Sequence, residues 1–217
     1  MFLKKILKIF IDGYGFKKSV EQSIPIDFNE NPLPLYTYPA IEYLRSLDFK
    51  NKKIFEFGSG NSTLFWLNKE AKVTSVENNH HWFDKLKIKT KNNKNHKFIF
   101  AQKEQYINSI LDKENFDVII IDGNENRLKC TQNAIKKIKK DGIIIIDNSD
   151  WFENSTKLVR DKLDFIQSDF YGFRPSKLNT SVTSIFFSRA SKLKSLTTKQ
   201  PSFAIGGTQR HSNNDIL

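Results

Sequence analysis

A glycine-rich turn with a nearby carboxylate is the first feature of this sequence that could do chemistry. The stretch KKIFEFGSGNSTLFW, residues 52–66, places Gly58 and Gly60 directly after a short apolar run, and Glu56 lies within that run. Glycine lets the backbone come close to a ligand because it carries no Cβ. We therefore expect the turn at residues 58–60 to approach a bound molecule.

Other carboxylates end further apolar runs of the chain. Glu77, Asp122 and Asp147 each close such a run, and Asn148 follows directly. In an open parallel sheet the strand ends meet at one edge, where ligands bind. Carboxylates gathered there repel one another unless a polyhydroxylated, cationic or metal-bearing ligand lies among them. The spacing therefore predicts a ligand site at that edge.

Alternating strands and helices would position these residues. Apolar runs predict strands at residues 53–57, 73–77, 98–101, 118–122 and 143–147, and helical composition fills 61–70, 80–91, 103–112 and 127–140. This alternation indicates a parallel sheet covered on both faces. A helix near 151–164 and strands at 165–173 and 182–188 follow. We expect an α/β, Rossmann-like, doubly wound seven-stranded sheet, mostly parallel, with a C-terminal antiparallel hairpin.

Composition narrows the class of protein further. A length of 217 residues with 38% hydrophobic content fits one globular domain. The single cysteine, Cys130, excludes an internal disulfide framework and a multi-cysteine zinc site, and we interpret it as a buried, inert thiol of a cytoplasmic protein. The net charge of +11 comes mostly from scattered lysines. Charge alone does not identify a partner, and we expect no nucleic acid.

The first residues, MFLKKILKIFI, predict a basic amphipathic helix. At 100° per residue Lys4, Lys5 and Lys8 fall on one arc, and apolar side chains take the rest. Lys8 interrupts the apolar stretch and no small-residue cleavage site follows, which argues against a signal peptide. Two interpretations stay open: residues 1–11 contact the inner face of an anionic membrane, or they pack on the domain or on a second copy in a homodimer.

Over residues 35–188 the sequence resembles the class I S-adenosylmethionine-dependent methyltransferases. The resemblance depends on EFGSGNS as the glycine-rich first motif, on Glu77 at the end of the second strand, on FDVIIIDG as the fourth-strand motif and on the final hairpin. It implies a methyltransferase domain at 21–190, preceded by a helix and linker at 1–20. We predict that residues 191–217 form a disordered tail.

The resemblance also implies a set of cofactor-binding residues. Gly58 and Gly60 would approach the methionine part of S-adenosylmethionine, Glu56 would face its amino group, and Glu77 would accept hydrogen bonds from the ribose hydroxyls. A carboxylate suits a vicinal diol because it accepts two charge-assisted hydrogen bonds. Next to adenine we place Ala101 and Gln102. The other residues implied at the cofactor are Ser59, Asn61, Ser62, Asn78 and Asp122.

The methyl acceptor needs a base if it is a hydroxyl. Asp122, Asp147 and Asn148 resemble the metal ligands of catechol-type, divalent-cation-dependent O-methyltransferases, and such oxygen ligands suit Mg²⁺. Glu125 stands where that family has a lysine, which is a departure from the pattern. The alternative is a metal-free site in which Asp122, Asp147 or Glu125 is the general base. Aromatic side chains at 36, 38, 151 and 152 are candidates for the acceptor pocket or for the core.

Other enzyme classes fit the sequence less well. Nicotinamide-binding Rossmann proteins require GxGxxG, and Thr63 occupies the third glycine position. The motif of DNA amino-methyltransferases and the Asp-rich loop of spermidine synthases are both missing from the sequence. We therefore predict O-methylation of a sugar or another small or lipid-linked acceptor. A nicotinamide-dependent oxidoreductase and a non-catalytic S-adenosylmethionine-binding scaffold are the alternatives.

Overall fold

The computed structural model describes residues 2–198 and 201–208 and contains one seven-stranded sheet. The strands lie in the order β3-β2-β1-β4-β5-β7-β6, parallel from β3 to β5, with β7 antiparallel to β5 and to β6. This arrangement confirms the predicted fold class. The strands are β1 Lys53–Phe57, β2 Lys72–Glu77, β3 His96–Phe100, β4 Phe116–Ile121, β5 Ile138–Asp147, β6 Phe165–Phe173 and β7 Thr180–Ser188.

Within the part of the chain that the structure describes, eight α-helices flank the sheet or precede it. They are α1 Phe2–Lys8, α2 Phe16–Gln22, α3 Tyr38–Arg45, α4 Asn61–Asn68, α5 His80–Thr90, α6 Lys103–Asn108, α7 Arg127–Lys137 and α8 Glu153–Lys162. A π-helical turn, Ile9–Gly13, continues α1, and a 3₁₀ turn, Ser149–Trp151, precedes α8. No helix among the described residues is long and apolar enough to cross a lipid bilayer.

Alternate residues of the central strands build two apolar layers, one on each face of the sheet. Val118 and Ile120 of β4 belong to the layer that contains Trp66, whereas Ile119 and Ile121 belong to the layer that contains Tyr106. This is the pattern expected of strands buried on both faces. The thiol of Cys130 is buried in the second layer, and burial raises its pKa to about 12.

Strand β5 begins earlier than the sequence predicted. The predicted helix at 127–140 ends at Lys137, and Ile138 pairs instead with Phe116 across a register shift. Its side chain packs against the second apolar layer, which favours an extended conformation over another helical turn. Residues 136–140 are rich in lysine, a composition typical of helices, so the sequence pattern did not predict a strand there.

The antiparallel hairpin brings the end of β6 to the edge where the parallel strands end. Because β7 is antiparallel to both β5 and β6, strands β5 and β6 run in the same direction. Thr183 of β7 pairs with Asp147 on one side and with Phe170 on the other. Residues 174–179, which join β6 to β7, therefore lie at the same edge as the end of β5.

The chain beyond residue 190 contacts the domain where the structure describes it. The backbone N–H of Asp48 donates to the Lys194 carbonyl across 2.9 Å, and the N–H of Ile205 donates to a carboxylate oxygen of Glu42 across 2.9 Å. The predicted disorder of the tail stays a prediction for residues 199–200 and 209–217, which lie outside the described residues.

Candidate functional site

The glycine turn lies where the first and fourth strands end side by side. Gly58 has a φ of +95°, and a Cβ added there would lie 3.0 Å from the Gly123 nitrogen and 3.1 Å from the Asp122 carbonyl carbon. Both the conformation and the space therefore favour glycine at this position. A Cβ at Gly60 would meet no atom of the described protein within 4 Å. The backbone at Gly60 is thus accessible to a ligand.

Glu56 is a fully buried carboxyl with one oxygen left over. The Thr63 hydroxyl donates to Oε2 across 2.5 Å, and Oε1 has no hydrogen-bond partner among the described residues. Burial raises the pKa of Glu56 to about 8. An unpartnered buried carboxyl oxygen is costly, and a cationic group that binds it would recover that cost. The amino group of S-adenosylmethionine fits this requirement.

Glu77 ends β2 with both carboxylate oxygens engaged. Its Oε2 accepts from the backbone and the hydroxyl of Ser59, at 3.1 and 2.9 Å, and Oε1 accepts from the backbone N–H groups of Asn78 and Asn79, at 3.0 and 2.8 Å. The side chain is buried beside the glycine turn. The Ser59 hydroxyl therefore donates to a carboxylate oxygen of Glu77 that could instead accept from a ribose hydroxyl.

The residues predicted at the adenine are brought together at the ends of β2 and β3. The Gln102 amide donates to the Asn78 carbonyl across 3.1 Å, and the Ala101 backbone donates to the Glu77 carbonyl across 3.1 Å. Glu125 belongs to this group as well. Its Oε1 accepts from the Asn78 amide at 3.2 Å and from the Lys103 backbone at 3.1 Å. Glu125 thus contacts the β2 and β3 side of the site.

Asn61 and Ser62, the remaining predicted residues of the first motif, lie in the first turn of α4. The Asn61 amide donates to the Pro25 carbonyl across 2.7 Å, which ties the start of α4 to the segment before α3. Ser62 is buried in the first turn of the same helix. The structure places both beside the glycine turn. Their predicted contacts with a cofactor stay predictions.

At the ends of β4 and β5 a buried arginine joins the two strands. Arg127 donates from Nη2 to Asp122 Oδ1 across 3.3 Å, and its Nη1 donates to the backbone carbonyl of Asp147. The Asp122 side chain is 20% exposed. Burial raises the pKa of Asp122, while the guanidinium groups of Arg127 and Arg174 oppose that shift.

Asp147 lies deeper than Asp122 and is held by neutral donors. The Thr183 hydroxyl donates to Oδ1 across 2.7 Å, and that hydroxyl in turn accepts from the Thr37 backbone at 3.0 Å. Burial, and next the charge of Asp122, raise the pKa of Asp147. Because Arg127 pairs directly with Asp122 whereas the hydrogen-bond donors to Asp147 are neutral, we infer that Asp147 is the more readily protonated of the two carboxyls.

Asn148 turns the chain after β5 with a φ of +51°, a left-handed conformation that asparagine tolerates. With its amide oriented to satisfy its neighbours, its nitrogen donates to Asp147 Oδ2 across 3.2 Å, and its oxygen accepts from Arg174 Nη1 at 2.7 Å. Arg174 follows β6 and is buried, and its Nε has no partner among the described residues. The hairpin thus supplies a second guanidinium to the site.

The predicted metal ligands do not fit a divalent cation. Asp122 binds Arg127, and the Asn148 oxygen, which would have to face the ion, binds Arg174. Two guanidinium groups therefore supply positive charge directly beside the predicted ligands, and a cation added there would be repelled. Within residues 2–198 and 201–208 no cluster of three or more His, Cys, Asp or Glu side chains could hold a metal.

The aromatic candidates for the acceptor pocket divide into two groups. Tyr36 and Tyr38 are buried in the core, whereas Trp151 is 61% exposed. Trp151 and Phe152 line a cavity of about 570 Å³ together with Arg127 and with polar side chains, which include Asn124, Asn126 and Asn154. The guanidinium of Arg174 lies 5.8 Å from the Trp151 ring centre, and that of Arg127 lies 4.3 Å from the Phe152 ring centre.

Sequence reasoning missed the two arginines. Both follow strand ends in a chain whose basic residues are mostly lysine, and arginine is the residue preferred for buried ion pairs. Arg127 also stands five residues after Asp122, in the first turn of the following helix. These two features together were the signal available in the sequence.

Comparison with known proteins supports the class of enzyme. Residues 55–149 match a family model described as a methyltransferase domain. No curated protein matches the sequence. Among solved structures, a protein assigned as a caffeoyl-CoA O-methyltransferase from Staphylococcus aureus shares 16% identity over 86% of this chain and 99% of its own, with a TM-score of 0.57.

Two further structures show how widely the fold is shared. A protein assigned as an O-methyltransferase from Klebsiella pneumoniae has 13% identity over 80% of this chain and 89% of its own, with a TM-score of 0.56. Spermidine synthase from Thermotoga maritima has 15% identity over 65% of this chain and 55% of its own, with a TM-score of 0.52. At these identities the likeness shows the fold alone. The family match covers residues 55–149, the segment that carries the glycine turn and the ends of β1, β2, β4 and β5.

Proposed function

We propose that this protein is a class I S-adenosylmethionine-dependent methyltransferase that acts on a hydroxyl of a sugar or a similar polyhydroxylated acceptor, free or lipid-linked, without a metal ion. The observation that carries the proposal is the cavity beside Arg127, in which the exposed indole of Trp151 faces solvent among asparagine and glutamate side chains. Aromatic faces suit the apolar face of a sugar ring, and amides and carboxylates suit its hydroxyls.

The cofactor would lie along the glycine turn. Glu56 would bind the amino group with its unpartnered Oε1, and Gly60 would allow close backbone approach. Glu77 would bind the ribose diol once the Ser59 hydroxyl has moved aside. When bound, S-adenosylmethionine supplies a methyl group on a sulfonium that is already a good leaving group. The protein therefore has to position the acceptor and to remove its proton.

Asp122 is the proposed general base. It is the more exposed of the two carboxyls at the ends of β4 and β5, and its hydrogen bond to Arg127 uses Oδ1. The proton of the acceptor hydroxyl would pass to Asp122 as the new carbon–oxygen bond forms and the carbon–sulfur bond breaks. Asp147 would position the site through Thr183 and Asn148. Glu125 is assigned to the cofactor side because it contacts Asn78 and Lys103.

Transfer to oxygen is supported by the names of two structural neighbours, both assigned as O-methyltransferases. The direct test is incubation of the purified protein with methyl-labelled S-adenosylmethionine and a panel of hexosides and nucleotide-linked hexoses, in the presence of EDTA. Mass spectrometry of the products should show one added methyl group on a sugar hydroxyl. Labelling confined to amines or carboxylates, or labelling that requires added Mg²⁺, would contradict the proposal.

A further inference from the structure

The first helix, α1, has its apolar side chains exposed. Phe2, Leu3, Ile6 and Leu7 are between 45 and 82% exposed, and no residue of α1 is buried. Single exposed apolar residues are common on protein surfaces, but four on one helix form a patch that a partner normally covers. We call Phe2, Leu3, Ile6 and Leu7, with Lys4, Lys5 and Lys8, the basic arm.

The charges of the basic arm select the kind of partner. At 100° per residue the three lysines occupy one arc of the helix and the four apolar side chains occupy the opposite arc. All three lysines are exposed. An anionic lipid surface offers both of the things this arrangement needs, because headgroups attract the lysines while the acyl boundary accepts the apolar arc.

The arm is attached next to the catalytic edge of the sheet. Phe10, in the turn that continues α1, packs its ring 5.2 Å from Phe173 and 6.0 Å from Tyr38. Phe173 ends β6, and the next residue is Arg174, which binds Asn148. Leu178, in the same connection between β6 and β7, is 80% exposed. A surface that binds the arm therefore lies near the edge that carries the site.

We propose that the basic arm docks this protein on an anionic lipid bilayer and turns the catalytic edge of the sheet toward that surface. The docking does not depend on the reaction. Its consequence, that the acceptor is taken from the bilayer surface as a lipid-linked sugar, rests on the proposed function. A binding assay without turnover therefore separates a failure of docking from a failure of the proposed reaction.

The first test is cosedimentation of the full chain with vesicles of phosphatidylglycerol and phosphatidylethanolamine, or of phosphatidylcholine alone. The wild type should bind the anionic vesicles and lose binding at high salt. The triple variant Lys4→Glu, Lys5→Glu, Lys8→Glu should bind roughly a hundredfold more weakly. Its matched control is Lys89→Glu, Lys91→Glu, Lys94→Glu, which makes the same charge change on exposed residues near the opposite edge strand.

The orientation is tested with a fluorescent label on single introduced cysteines, since the native Cys130 is buried and does not compete. Labels at Leu3→Cys and Leu178→Cys should be quenched by brominated lipid, and a label at Lys94→Cys should not. Unchanged S-adenosylhomocysteine affinity in every variant would show that the domain is folded. Equal vesicle binding by the arm variant and its control would overturn the docking, as would a dimer held by the arm without vesicle binding. Quenching at Leu3 without quenching at Leu178 would overturn the orientation.

Discussion

The hydroxyl of Ser59 donates to Glu77 Oε2 across 2.9 Å, and the Ser59 backbone N–H donates to the same oxygen across 3.1 Å. Asn78 and Asn79 supply two further donors to Oε1. The carboxylate therefore has its acceptor positions filled before a ligand arrives. A ribose diol must replace the Ser59 hydroxyl, which makes the two residues separable by mutation.

Replacing Glu77 with alanine should weaken S-adenosylhomocysteine binding by about 1.5 to 3 kcal/mol, roughly ten- to a hundredfold, because the ribose hydroxyls lose a charged acceptor. Ser59→Ala should leave the affinity unchanged or improve it, since the competing hydroxyl is gone. Calorimetric titration measures both. Glu70→Ala, at a carboxylate paired on the surface with Lys50, is the control. Equal weakening by Ser59→Ala and Glu77→Ala would mean that Ser59 itself binds the cofactor.

Glu56 predicts a pH dependence of cofactor binding. Burial raises its pKa to about 8 in the free protein, so the carboxyl is protonated at neutral pH, whereas a bound ammonium group favours the carboxylate. Affinity should therefore rise with pH from about 6 to 7.5, and binding should release a proton. Calorimetry in buffers of different ionisation enthalpy detects that proton. Glu56→Gln should bind more weakly and show no such release.

Glu56 should also make the stability of the unliganded protein depend on pH. Because the folded-state pKa of Glu56 lies above the ordinary value of about 4.3, the folded protein holds the proton more tightly than the unfolded chain. The unliganded protein should lose stability as pH rises from that ordinary value through about 8. Thermal unfolding at several pH values measures the slope. A slope that is as steep in Glu56→Gln as in the wild type would assign the effect to another group, with Asp147 the first to examine.

Asp122 and Asp147 should differ in their effect on turnover. Asp122→Asn should lower kcat by roughly a hundred- to ten-thousandfold, because the acceptor proton loses its base, with little change in cofactor affinity. Asp147→Asn should lower kcat far less, since the amide resembles the protonated carboxyl that we infer there.

Activity should survive chelation with EDTA. Loss of activity on chelation, restored by Mg²⁺, would overturn the assignment of Arg127 and Arg174 as the positive charges of the site.

Trp151 should affect binding of the acceptor and not binding of the cofactor. Trp151→Ala removes the exposed indole that lines the cavity and should raise KM for the acceptor by roughly ten- to a hundredfold, with the cofactor affinity unchanged. Trp82→Ala, at another exposed indole on α5, is the matched control. Steady-state kinetics with varied acceptor measures the difference. A lower kcat with unchanged KM would assign Trp151 to the catalytic step.

The succession of strands along the chain, the mostly parallel sheet and the closing hairpin could be predicted from the sequence, whereas the ligand site at the strand ends stays a prediction. Apolar runs such as 118–122 are long enough to be buried on both faces, and their polar last residues indicate where a ligand binds. The early start of β5 at Ile138 could not be predicted, because the lysines around it have helical composition. Its conformation is decided by pairing with Phe116, a contact that is distant in sequence.

The positive charges within the site could not be predicted from the sequence. The sequence places Asp122, Asp147 and Asn148 at neighbouring strand ends, and that geometry alone permits a metal. Only the fold brings Arg174 of the hairpin against Asn148 and turns the Arg127 side chain back to Asp122. Which cation balances a group of carboxylates thus depends on tertiary contacts that strand-end patterns do not contain.

The most direct test of this account is calorimetric titration of the purified protein with S-adenosylhomocysteine and, separately, with NAD, both in the presence of EDTA. We expect one S-adenosylhomocysteine site per chain, weakened by Glu77→Ala, and no binding of NAD at the same concentrations. Binding of NAD without binding of S-adenosylhomocysteine would contradict it.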